Sequence, residues 1–290
     1  MTLQSAAPEQ FVLKVSCQAS SGIVAQVTSF LYQQGCYISE LSQFDDQQSG
    51  RFFMRALGYI ESGDGSIGQI RQKFSDVAQR FNMDWQLHDA TAATKTIIMV
   101  SKFDHCIDDL LYRLRKGELK MDITAIVSNH KDIRPMVERE GIRFVHLPIT
   151  KETKREQELE LLNIIEETHT ELVVLARYMQ VLSDNLCTEL AGRAINIHHS
   201  FLPGFKGAKP YHQAYARGVK LIGATAHYVT SDLDEGPIIE QSVQAVSHTY
   251  TPEQLVAVGR DTETQALAQA VKLHTEHRVF VDGNKTVVFK

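Results

Sequence analysis

From Thr96 onward the chain alternates short, wholly apolar runs with amphipathic stretches: Thr96–Ser101, a helix to Lys116, Ile123–Ser128, a helix to Glu140, Phe144–Leu147, a helix over Glu152–Thr168, Leu172–Ala176 and a helix to Ala191. Strands without a polar face need cover on both sides, and strands separated by helices run parallel. The pattern therefore predicts an α/β domain around a mostly parallel sheet, whose ligands sit beyond the carboxyl ends of the strands. A helix over Pro252–Thr275 and a hairpin turning at Asp282-Gly283 are expected to close this domain.

The preceding part has a different texture. Phe11–Cys17 alternates, Ile23–Gln34 has helical spacing, Cys36–Asp45 and Phe52–Ile60 are extended, and Ile67–Phe81 is helical again before a last short strand. This strand-helix-strand-strand-helix-strand order predicts a ferredoxin-like α+β domain over residues 9–88. The polar stretch Gln86–Lys95 reads as the connection, with a linker at 89–95 and the second domain at 96–290. A length of 290 residues suits two domains, since it exceeds the typical domain size of roughly 100–150 residues.

A formal charge of −5, from 30 basic and 35 acidic residues, is mild and unclustered, which argues against a nucleic-acid partner. A polar start without an apolar leader segment, and no run of 18 apolar residues, predict a cytoplasmic protein without a membrane partner. Cys17, Cys36, Cys106 and Cys187 share no metal or redox spacing and are expected as buried, reduced thiols.

Two segments carry chemistry. In Asn196-Ile197-His198-His199-Ser200-Phe201-Leu202-Pro203 the apolar run Arg193–Ile197 delivers an amide and an imidazole two positions apart, which a strand projects from one face. Leu233-Asp234-Glu235-Gly236-Pro237 supplies a carboxylate from a tight turn. An amide donor, a histidine and an acid suffice for acyl transfer or hydrolysis.

These strings, with His227 in Ala224-Thr225-Ala226-His227-Tyr228-Val229-Thr230, resemble the folate-dependent formyltransferase family. The segments 105–111, 204–230 and 231–241 are similar, within it, to the formyltetrahydrofolate deformylases, which also carry an N-terminal ACT domain, so the resemblance covers nearly the whole chain. It implies a Rossmann-like formyltransferase domain behind an ACT domain, and hydrolysis of 10-formyltetrahydrofolate by water to formate and tetrahydrofolate. The formate would feed purine biosynthesis and the reaction would balance one-carbon folate pools. The matching positions are Asn196 and His198, for the tetrahedral oxyanion, and Asp234, for orienting water, fixing His198 and relaying a proton. His227 is implied as a supporting residue near Asp234. The formyl group sits on an aniline-like nitrogen, a better leaving group than a peptide nitrogen, so no cofactor or metal is expected.

The resemblance also implies a pterin slot at Arg177, Tyr178, Met179, Gln180, Val181 and Leu182, with Ser231, Asp232 and Leu233 opposite. Tyr178, Met179, Val181 and Leu182 could equally be core. Transformylases that use a ribonucleotide carry a glycine-containing loop that cradles its phosphate after the first strand. Here Ser101-Lys102-Phe103-Asp104-His105-Cys106 has no glycine, and Asp104 would repel a phosphate, which favours water as acceptor. Transfer to an amine such as glycinamide ribonucleotide remains the alternative; a third reading is a folate-binding or amino-acid-sensing protein without turnover. His199, His212 and His248 read as structural, and no histidine spacing supports a metal site.

ACT domains commonly bind an amino-acid effector between paired domains. The first strand-to-helix turn, Gln18-Ala19-Ser20-Ser21-Gly22, keeps a glycine but lacks the acid usual there, so an effector site and a purely structural pairing domain are both open. Ser20 or Ser21 is expected to cap the helix. Either role implies a homo-oligomer, a dimer or tetramer.

Overall fold

A computed structural model describes residues 8–61, 65–202 and 210–290. Pro203 of the first motif and the string 204–209 lie outside the described residues.

The chain divides into two compact units, one of residues 1–92, 276–280 and 289–290, the other of 93–275 and 281–288. The expectation of a second domain running unbroken from 96 to 290 is thus corrected: after its last helix the chain returns segments to the first unit. A domain limit of 88 and a linker from 89 also give way. The last strand of the first unit ends at Asp89 and the next strand begins at Thr94, leaving four connecting residues, 90–93. Polar Gln86 and His88 lie inside that strand, Gln86 exposed and His88 covered by the stacked His277 ring.

The first unit contains β1 (Gln10–Gln18), α1 (Ile23–Gln33), β2 (Cys36–Asp46), β3 (Arg51–Ile60), α2 (Ile67–Arg80) and β4 (Asp84–Asp89). Its antiparallel sheet has the order β2-β3-β1-β4, the ferredoxin-like arrangement. Alternate residues of β1 and β3, among them Phe11, Leu13, Met54 and Ala56, pack beneath Val27, Leu31, Ile70 and Phe74 of the two helices. Ser66 caps α2 through a reciprocal capping box with Gln69. Neither Ser20 nor Ser21 caps α1. The N-cap position falls on Gly22 at φ 90, which has no side chain to accept from the first turn.

The second unit contains β5 (Thr94–Val100), α3 (His105–Arg115), β6 (Met121–Ser128), α4 (Arg134–Arg139), β7 (Phe144–His146), α5 (Lys154–Glu167), β8 (Leu172–Leu175), α6 (Asp184–Glu189), β9 (Ala194–His198), α7 (Pro210–Arg217), β10 (Leu221–Tyr228), β11 (Ile238–Ala245) and α8 (Pro252–Thr275), followed by the hairpin strands β12 (Val279–Asp282) and β13 (Lys285–Val288). The seven-stranded sheet has the order β11-β10-β9-β8-β5-β6-β7. Pairing is parallel from β9 to β7 and antiparallel for β10 and β11. The central strands are buried on both faces: Ile97, Met99, Val127 and Val173 pack toward α5 and α6, while their neighbours Ile98, Ile126 and Val174 are equally inaccessible from the other side. Chain order runs outward to β6 and β7 on one side of β5 and to β8, β9 and β10 on the other, so the reversal lies between β5 and β8. The carboxyl ends of this pair make the crevice in which α/β sheets hold ligands.

Candidate active site

Asn196 and His198 sit at the carboxyl end of β9 and His227 lies opposite Asn196 on β10. Because β10 is antiparallel to β9, it leads away from His198, and the loop 229–237 must fold back to bring Asp234 to the imidazole. Gly236 makes the return possible: it is buried, and a Cβ there would lie 1.7 Å from the Tyr228 carbonyl oxygen. The Tyr228 N–H donates to the Pro237 carbonyl at 2.9 Å and closes the loop. Asp234 itself has φ 58, a left-handed conformation that aspartate tolerates better than most residues. On the other side, Thr225 Oγ1 donates to the Ser200 carbonyl and accepts from Leu202 N–H, fixing the chain after His198.

His198 Nδ1 lies 3.1 Å from Asp234 Oδ1, with the two side chains 7% and 15% exposed. Burial acts to raise the Asp234 pKa, but the hydrogen bond from His198 leads the effects that outweigh it and leave the carboxyl below its usual value. An ionised acceptor on Nδ1 makes that nitrogen the N–H donor. The buried Nε2 has no hydrogen-bond partner.

The tautomer of His227 follows from its neighbours. Nδ1 lies 2.8 Å from the Tyr228 carbonyl, which can only accept, so Nδ1 carries the proton. Nε2 then accepts from Asn196 Nδ2 at 3.2 Å. Burial lowers the His227 pKa and keeps the ring neutral, so its 3.9 Å approach to Asp234 is not an ion pair. The bond from Asn196 fixes the orientation of its amide against His227.

A cavity of about 260 Å³ is lined by residues 177–182, Asn196, His198, His199, His227 and residues 229–234, which brings the expected catalytic, supporting and pterin-slot residues to one place. Hydrogen bonds hold its walls: Ser101 Oγ donates to Asn129 Oδ1 and accepts from Met179 N–H, Gln157 Nε2 donates to the Tyr178 hydroxyl, and Ser183 N–H donates to Glu158. The pterin-loop side chains divide. Tyr178 and Leu182 are core, whereas Met179, Val181 and, opposite, Leu233 are each about half exposed or more at 49%, 57% and 60%. Exposed apolar side chains around a cavity suit a flat aromatic ligand.

Sequence reasoning missed a second cluster. Glu263 of α8 is 1% exposed and accepts from the Tyr211 hydroxyl at 2.7 Å and from His105 Nε2 at 2.8 Å, with Arg177 Nε 3.3 Å away. An acid among Gly259, Thr262, Ala266 and Leu267, all on the buried face of α8, was the available signal. His199, read as structural, stacks on His198 with centroids 5.0 Å apart, and burial pushes its pKa down to about 4. His105, Cys106 and Glu263 have donor atoms within 4.8 Å of one another. This set fits a metal poorly: both Glu263 oxygens are engaged, the Arg177 cation adjoins them, and burial raises the Cys106 thiol. All four cysteines are buried and free, as the sequence implied.

An amide, a histidine and a carboxylate converging at the edge of a parallel sheet, beside an apolar slot, define a formyl-transfer class of site, and residues 94–271 match the model of the formyl transferase family, to which the chain belongs. More particular likeness extends over both units. The chain is 55% identical to a formyltetrahydrofolate deformylase of Corynebacterium sp. (strain P-1), over 96% of this chain and 98% of that one. A crystal structure of formyltetrahydrofolate deformylase from Burkholderia mallei superposes with a TM-score of 0.93 at 57% identity, covering 98% of this chain and 100% of that one. A phosphoribosylglycinamide formyltransferase from Coxiella burnetii reaches a TM-score of 0.63 at 25% identity and covers only 68% of this chain and 93% of that one. Within the family the chain groups with the formyltetrahydrofolate deformylases.

Proposed function

We propose that the chain hydrolyses 10-formyltetrahydrofolate to formate and tetrahydrofolate, with the His198–Asp234 pair at 3.1 Å, beside the Asn196 amide, as the observation that carries the reading. Water attacks the formyl carbon while His198 Nε2 takes its proton. The imidazolium so formed lies against the Asp234 carboxylate, and the free Asn196 Nδ2–H donates to the developing oxyanion. His198 then returns the proton to the leaving nitrogen as the carbon–nitrogen bond breaks. The resemblance gave His198 to the oxyanion and proton relay to Asp234; the direction of the Nδ1–H bond supports proton transfer by His198, with Asp234 fixing and charge-balancing its ring. These groups need no metal or cofactor for this chemistry. A cavity of about 260 Å³ matches the pterin head, leaving the aminobenzoyl-glutamate tail toward the exposed Met179 and Val181.

Incubation with 10-formyltetrahydrofolate, a chelator and no amine acceptor is expected to release formate and tetrahydrofolate in equal amounts. Transfer only on adding glycinamide ribonucleotide would overturn the reading in favour of a transformylase.

The first unit is proposed as an ACT domain. A cleft at the β1–α1 turn, lined by residues 19–25 with Gln43, Asp45 and Phe52, supports an amino-acid effector. The edge strand β2, with Tyr37, Leu41 and Phe44 exposed, supports pairing into a homodimer or higher oligomer. Sedimentation and titration of activity with amino acids test these points. No described helix is long and apolar enough to cross a membrane. A cytoplasmic location and a part in supplying formate for purine biosynthesis are likewise proposed.

A further inference from the structure

The Glu263 cluster stands at the switch point of the sheet, where Ser101–His105 follow β5 and Arg177 follows β8. Arg177 is its one guanidinium, and it is poorly served. Glu263 Oε1 is taken by Tyr211 and Oε2 by His105 at 2.8 Å, so Arg177 Nε has only a long 3.3 Å approach to Oε2. Its Nε and NH1 are both buried and make no hydrogen bond. The Phe103 ring lies over the guanidinium, 5.1 Å from its central carbon, and covers one face. Buried guanidinium donors left unmet are costly, and a planar fork of N–H groups is built to receive a carboxylate. The backbone adds to the cost, since Arg177 has φ 63, where a glycine would sit without strain.

Arg177 lines the same cavity as His198 and His199. We propose that Arg177 is the binding residue for the formate product, a small monocarboxylate held by the guanidinium while tetrahydrofolate still occupies the slot; this rests on the deformylase reading above. The surrounding charges set the limit on what can bind. His199 is neutral, Glu263 already balances Arg177, and Asp234 lines the same cavity, so a single small negative charge is better tolerated there than a phosphate dianion. The same acids weaken the hold on formate, as product release requires. Glu263, which positions Arg177, also competes with formate for its donors.

The test is a titration of the full chain, saturated with tetrahydrofolate, with ¹³C-labelled formate followed by NMR, and with acetate as a size control. No turnover is needed, so formate binding is readable even if the protein released no formate from 10-formyltetrahydrofolate, the result that would sink the deformylase reading instead. Arg177→Gly in the charge-balanced background Glu263→Gln is expected to weaken formate binding at least about tenfold. Glu263→Gln alone is expected to tighten it, an effect that a merely structural cluster would not produce. Should the double variant fail to fold, Arg177→Lys keeps the charge without the planar fork and is expected to weaken binding as well. Absence of saturable formate binding in the unmodified protein, or equal affinity in the Arg177 variants, overturns the proposal.

Discussion

Replacing Asp234 by Asn probes the proposed division of labour, because the amide oxygen can still accept from His198 Nδ1 at the observed 3.1 Å while the charge is gone. In the transition state His198 becomes an imidazolium beside that carboxylate. Two unit charges 3.1 Å apart interact by about 5 kcal/mol at an effective dielectric of about 20, which bounds the loss. General acid–base catalysis is typically worth about 10²–10⁴-fold, or about 3–5 kcal/mol, so the electrostatic ceiling and the catalytic range meet. Asp234→Asn should therefore lower kcat about 10³-fold, with KM changed only severalfold because the apolar slot is untouched. Single-turnover and steady-state formate release measure both, and a melting curve verifies folding. The sign with pH follows from the lowered carboxyl pKa. The contribution of ionised Asp234 to stability is present above its unfolded value and is lost as pH falls through the lower folded one. A variant retaining more than a tenth of wild-type kcat would refute the charge-assisted role of this pair.

Other outcomes follow from the same geometry. Gly236→Ala forces a Cβ to 1.7 Å from the Tyr228 oxygen, so the Asp234 loop must shift; kcat should fall about 10²-fold, as ångström-scale misplacement of a reacting group does, and an active variant would show that the loop is compliant. Ser101→Ala leaves Met179 N–H and Asn129 Oδ1 without their shared partner, at a cost of about 1–3 kcal/mol, and should raise KM more than it lowers kcat. His88 stacks on His277 at 3.7 Å, and its pKa is pushed down to about 4 by burial and by Lys14 and Arg71. A depressed folded pKa means that the unfolded chain binds the extra proton, so stability of the first unit should decline as pH falls from about 6.5 toward 4. Trp85, the single tryptophan, packs on Phe74 in that unit and reports its melting by fluorescence; His88→Gln should flatten the pH dependence.

Local pattern carried much of this molecule. Continuous apolar runs at Ile97–Val100, Ala125–Val127 and Leu172–Leu175 specify strands buried on two faces, because no other packing hides both sides, and the intervening amphipathic stretches then dictate a parallel sheet. The period of a strand likewise placed Asn196 and His198 on one face. The antiparallel pairing of β10 and β11 and the return of residues 276–280 and 289–290 to the first unit were not legible, since pairing partners far apart in sequence leave no local mark. The same limit governs the site. Residue type and spacing singled out the three proposed reacting groups, but the roles proposed for them rest on hydrogen-bond direction: the Tyr228 carbonyl fixes the His227 tautomer, that tautomer turns Asn196, and Asp234 sets the proton on His198. Glu263 and Arg177 meet across 86 positions of chain only when α8 lies on the sheet beside α3, and the energy of a buried charge depends on those neighbours rather than on the residue itself.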